Sequence, residues 1–172
     1  MPCSIVVAYI GKGEVLADVD PTAALAAMAF AIATARVSGC RFLESYFTPR
    51  FAALQALHGD PTAALRSLEH MREAWSVSTD AAVVAAWRGG VVVLLARLHR
   101  FEQAATVHGT LDEAMQGTAL LAHLGEAVQH SRDTLGEPDF AAAMQRGAAM
   151  APIEADDFAL ACIREALAAS LP

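Results

Sequence analysis

Asp20-Pro21-Thr22-Ala23-Ala24-Leu25 recurs forty residues later as Asp60-Pro61-Thr62-Ala63-Ala64-Leu65. Forty residues further on stands Arg100-Phe101-Glu102-Gln103-Ala104-Ala105, which holds Ala104 in register with Ala24 and Ala64. A period of this length constrains the architecture more than any single residue. It marks supersecondary units that cannot bury their apolar faces alone and therefore stack. An aspartate ahead of a helix can accept a bond from its first free N–H groups. A proline in the next position gives up a donor that the first helical turn does not use. Gly59 suits the left-handed end of a preceding helix, so His58-Gly59-Asp60-Pro61 reads as helix, sharp turn, helix.

From Pro61, the apolar Ala64, Leu65, Leu68, Met71 and Trp75 keep the helical period, while Arg66, Glu69, Arg72 and Glu73 occupy the other side. The helix from Pro21 carries Leu25, Met28 and Ile32 on one face and Ala26, Phe30, Ala33 and Val37 on a second. It is apolar nearly all round, which predicts cover on both sides. Second helices over Arg41 to Leu57 and Asp80 to His99 complete two hairpins. Within the latter, Arg88-Gly89-Gly90 costs about 2 kcal/mol of helix propensity. That cost is more readily explained by close approach of a neighbouring helix than by a kink. Three further helices, Thr118 to Leu135, Pro138 to Met150 and Glu154 to Leu171, fall outside the register. Glu154, Asp156 and Asp157 open the last of them, opposing the positive end of its dipole. The expected fold is all-α: a tetratricopeptide-like, right-handed solenoid of helical hairpins with about nine helices. It forms a single domain over 1–172, with hairpins in 1–116 and capping helices in 117–172.

Composition agrees and excludes other classes. Hydrophobic residues make up 55% and charged residues 18%, too apolar for a disordered chain. Net charge is −7 and no Lys/Arg-rich stretch occurs, which argues against direct nucleic-acid binding. Cys3, Cys40 and Cys162 are scattered and odd in number. They argue against a disulfide framework and point to a reducing cytoplasm. The longest mostly apolar stretch, Ala23 to Ala35, is too short to span a bilayer. The opening residues lack the basic segment of a signal peptide.

Gly59-Asp60-Pro61-Thr62-Ala63-Ala64-Leu65 resembles the repeat signature in the helical part of LuxR-type and related ATPase regulators, the MalT-like tetratricopeptide group. Ala104-Ala105-Thr106-Val107-His108-Gly109, Leu135-Gly136, Phe140-Ala141 and Gly147 are similar to the tail pattern of actinobacterial members. The resemblance runs over about residues 20 to 170. It implies repeats that sense an effector or mediate protein contacts. The chain departs from that family in having no Walker A loop and no LuxR-type helix-turn-helix. The resemblance therefore implies a sensor or scaffold portion, or a short relative, without ATPase or DNA-binding activity.

No residue set builds a catalytic or cofactor site. Gly11-Lys12-Gly13-Glu14 lacks the spacing and the Ser/Thr of a phosphate loop and reads as a helix interruption or exposed loop. His123, Glu126 and His130 share one helix face but lack a partner helix with further ligands, so no metal is assigned; a Glu126–His130 contact is expected instead. His108, at the repeat position of Met28 and Leu68, reads as a partly buried histidine with one hydrogen bond. Cys40 has no dedicated base nearby. The expectation is a non-enzymatic module that binds a protein or peptide, with Phe30, Val37, Arg66, His70, Arg72 and Glu73 as contact residues. A small apolar effector held between helices is one alternative. Another is homodimerisation through the helix from Pro21, because several exposed Phe-sized contacts are costly to leave wet.

Overall fold

The computed structural model describes residues 2–74, 81–111 and 123–170, and every regular element among them is an α-helix. They are α1 (Pro2–Leu16), α2 (Pro21–Val37), α3 (Arg41–His58), α4 (Pro61–Ala74), α5 (Ala81–Arg97), α6 (Phe101–Gly109), α7 (Leu124–Leu135), α8 (Glu137–Ala148) and α9 (Pro152–Ala169). Trp75, Asp80 and the expected helix start at Thr118 lie outside the described residues.

The two repeated aspartates sit at helix mouths. Asp20 accepts from the backbone N–H of Ala23 at 3.0 Å, and Asp60 from that of Thr62 at 2.8 Å. Pro21 and Pro61 are the first residues of α2 and α4. Each cap of this kind contributes about 1 kcal/mol.

The expected interruption at Gly11-Lys12-Gly13-Glu14 is absent, and α1 runs through it. Val6 and Ile10 of α1 bury against Ala24, Met28, Ala31 and Ala35 of α2. A Cβ on Gly13 would stand 2.5 Å from Met28 Cγ and 3.2 Å from the Ala24 carbonyl oxygen. The missing side chain lets the two helices close, and that packing outweighs the roughly 1 kcal/mol propensity cost of each glycine. One side of α2 is thus covered within the chain.

The same folding-back corrects the cysteine reading. Cys3 and Cys40 form a disulfide between α1 and the turn that opens α3. At a sequence separation of 37, the pairing depends on α1 lying along α2, which spacing alone does not reveal. The scattered, odd cysteine count therefore misled. Cys162 is free and buried, its thiol pushed up to about 12 by burial.

The main core joins α3, α4, α5 and α6 with α9 through residues such as Leu65, Leu68, Trp87, Val92, Leu94, Val107 and Ile163. The Trp87 indole N–H donates to the Leu68 carbonyl at 2.9 Å. Helix α5 is unbroken through Gly89-Gly90, so there is no kink; a Cβ on Gly90 would lie 3.4 Å from the Pro49 carbonyl oxygen of α3, an ordinary contact, so the expected close approach does not require a glycine at that position. Pro49 itself lies inside α3 rather than at a helix end.

Helices α6 and α8 cross at backbone contact. Cβ atoms on Gly109 and Gly147 would stand 2.2 Å from the Met144 carbonyl oxygen and 1.9 Å from the Thr106 carbonyl oxygen. Ala105, Phe140 and Ala143 fill the rest of that seam.

Helix α9 returns to pack on α4, α5 and α6. Its anchor is ionic. Arg88 Nε and Nη2 donate to Asp156 Oδ1 at 3.0 and 2.7 Å, and Arg72 Nη2 donates to Asp156 Oδ2 at 3.0 Å. Arg88 also donates to the carbonyls of Thr110 and Pro152 at 3.1 and 2.9 Å. Asp156 was expected to serve the dipole of α9; instead it is held between these two arginines. The helix mouth is tended by Glu154, which accepts from the Ala151 N–H.

Candidate binding groove

Helices α2 and α4 both pack on α3 but barely touch each other, which leaves a trough between them floored by α3. It has a volume of about 680 Å³ and opens to solvent. Ile32, Phe51 and Met71 supply its apolar base; Ala29 and Ala33 of α2 form one wall. Ser45 and Thr48 rise from the floor, and Arg66, Ser67 and His70 form the α4 wall. Arg36 and Arg41 stand at one end with Glu44.

The electrostatics of this trough are unlike those of the rest of the molecule. Arg36 donates to Glu44 at 2.7 Å. Arg41 and Arg66 form no ion pair with a carboxylate among the described residues, and both are exposed. Elsewhere, Arg50, Arg72, Arg88, Arg100, Arg132, Arg146 and Arg164 are each paired with an acidic side chain. Of the arginines, only Arg97 shares with Arg41 and Arg66 the lack of a carboxylate partner among the described residues. Two of these three therefore line one groove, on a chain of net charge −7.

The six residues singled out from the sequence divide. Arg66 and His70 line the trough. Arg72 is held by Asp156, and Glu73 accepts from Arg164 at 3.2 Å, so both are engaged by residues of α9. Phe30 lies toward α1, its ring 4.5 Å from that of Tyr9, and remains 49% exposed. Val37 is 90% exposed at the end of α2. Sequence reasoning missed Arg41. Its signal was its place as the first residue of α3, where its charge adds to the positive end of the helix.

The histidine cluster does not converge. His123 precedes α7 and faces Glu126 at 3.6 Å, while His130 packs edge-on against Phe101; the expected Glu126–His130 contact is not formed. These residues border a smaller cavity of about 210 Å³ with Leu57, Val93 and Arg97. Among the described residues no group of His, Cys, Asp and Glu could hold a metal ion, and no described helix is long and apolar enough to cross a membrane.

His108 differs from its expected state: it is buried, and its Nδ1 has no hydrogen-bond partner. Burial, and secondarily the charge of Arg132, lowers its pKa below the ordinary value of 6.5. The folded state therefore binds fewer protons than the unfolded state once pH falls below 6.5. The neutral ring's contribution is fully present above that pH and is lost as acidification proceeds toward the lowered value. Urea titrations at stepped pH should show this loss, and His108→Met should flatten it. An unchanged acid slope in that variant would contradict the assignment.

Comparison of the chain with family models, curated proteins and solved structures finds no match.

Proposed function

We propose that this chain is a non-catalytic interaction module, a tetratricopeptide-like stack of helical hairpins whose trough between α2, α3 and α4 receives a peptide segment of a partner protein. One observation carries the reading. Along α4, the later polar residues Glu69, Arg72 and Glu73 are engaged by α9, whereas Arg66, Ser67 and His70 border open space with an apolar base. An apolar floor with polar side chains at its rim is what a docked segment needs for affinity and register. The resemblance to the repeats of LuxR-type regulators supports a setting in bacterial signalling or transcription control.

The volume of the trough also lies in the range of small-molecule sites, which supports effector sensing as the second reading. Self-association through α2 has less surface to draw on, because α1 covers one side of that helix.

The test uses peptide display against the whole chain, followed by binding of the enriched peptides to Ala33→Trp. Ala33 is exposed on the trough wall, so the indole fills the groove without entering the core. Enriched peptides should lose at least about tenfold in affinity. Failure to enrich any peptide, or equal binding to Ala33→Trp, would count against the reading.

A further inference from the structure

We propose that the occupant of the trough is an acidic peptide segment, extended along α3 and carrying carboxylates to Arg41 and Arg66. The inference rests on the groove reading above and adds the chemistry of the partner.

Among the described residues most arginines of this chain are engaged by its own carboxylates. Eight arginines have an acidic neighbour, and those left without one among the described residues are concentrated at the trough. A guanidinium presents a planar fork that matches a carboxylate with two parallel hydrogen bonds, stronger than neutral ones. Arg41 begins α3 and Arg66 lies on the α4 wall, so the two forks approach the trough from different helices. Between them the base is apolar, at Ile32, Phe51 and Met71. The matching ligand alternates acidic with aliphatic side chains.

Length favours a peptide over a metabolite. The floor runs from Arg41 to Phe51, about 15 Å at the helical rise per residue. An extended chain covers that distance in about five residues. The trough opens to solvent, as an extended segment requires for entry. Two free arginines on an acidic chain, with no basic stretch around them, are too few to hold a nucleic-acid backbone.

The experiment measures fluorescence anisotropy of short fluorescein-labelled peptides that alternate Glu with Leu, Gln with Leu, or Lys with Leu, added to the full chain. The Glu peptide should bind and the other two should bind at least about tenfold more weakly. The double variant Arg41→Glu/Arg66→Glu should lose the Glu peptide and gain the Lys peptide, with its circular dichroism unchanged and the gain abolished by adding Ala33→Trp. Arg97→Glu, outside the trough, should bind the Glu peptide as the unaltered chain does. Equal binding of the Gln peptide, lost in Ala33→Trp, would overturn the charge assignment while leaving the trough a peptide site. No binding of the Glu peptide would overturn the assignment outright. So would a dimer in light scattering that the double charge reversal converts to monomer, since a second copy would then be the occupant.

Discussion

Gly147→Ala should lower the stability of the fold by at least about 3 kcal/mol, among the larger single-methyl effects a helical protein can show. The added Cβ would fall 1.9 Å from the Thr106 carbonyl oxygen. The obstacle is backbone, so no rotamer change relieves it. Helices α6 and α8 must separate, opening the seam around Phe140 and Ala143. Gly109→Ala meets the Met144 carbonyl from the opposite side, at 2.2 Å, and should behave alike. Gly90→Ala is the internal control. Its nearest neighbours lie at 3.4 Å, an ordinary contact, so alanine's better helix propensity should leave the protein unchanged or stabilise it by up to about 1 kcal/mol. Urea denaturation followed by circular dichroism separates the two cases. A Gly147→Ala protein as stable as the parent would mean that α6 and α8 do not cross at backbone contact.

Asp156→Ala should cost about 3–5 kcal/mol, because it strands the Arg88 guanidinium in the interior without its anion. The Arg88 and Asp156 side chains are 10% and 14% exposed, so water compensates little. Arg72→Ala should cost less. Its side chain is 28% exposed, and Asp156 keeps both bonds to Arg88 when it is gone. The double variant Arg88→Met/Asp156→Leu should recover a large part of the loss, since removing both charges removes the desolvation penalty with the attraction. If Asp156→Ala alone is as stable as the parent, α9 is not anchored through this network.

These two sites also show what the sequence could and could not disclose. Helix starts were legible at Asp20 and Asp60, because capping is a local matter of one carboxylate and the next few N–H groups. The break between helices at His58-Gly59-Asp60-Pro61 was legible too, but not its backbone: Gly59, expected to be left-handed, has φ −126°, and its N–H closes the preceding helix by donating to the Gln55 carbonyl. The Arg88–Asp156 pair was not: 68 residues separate its members, and each had a sufficient local explanation, a glycine-flanked helix interior for one and a helix dipole for the other. The Cys3–Cys40 disulfide escaped for the same cause, needing α1 to lie along α2 before the sulfurs meet. Gly11 and Gly13 misled because glycine lowers helix propensity whether or not a neighbouring helix needs the space. In the groove, the period placed Arg66 and His70 on the polar side of α4. It could not say that α9 would take Arg72 and Glu73 and leave the first two open.

The account turns on the trough between α2, α3 and α4 being where a partner segment docks. Hydrogen–deuterium exchange of the whole chain, with and without a display-selected peptide, addresses this directly. Bound peptide should slow exchange in segments 29–51 and 66–71 and leave α7 and α8 unchanged. Protection confined to α7 and α8, or none in the trough helices at saturating peptide, would contradict it.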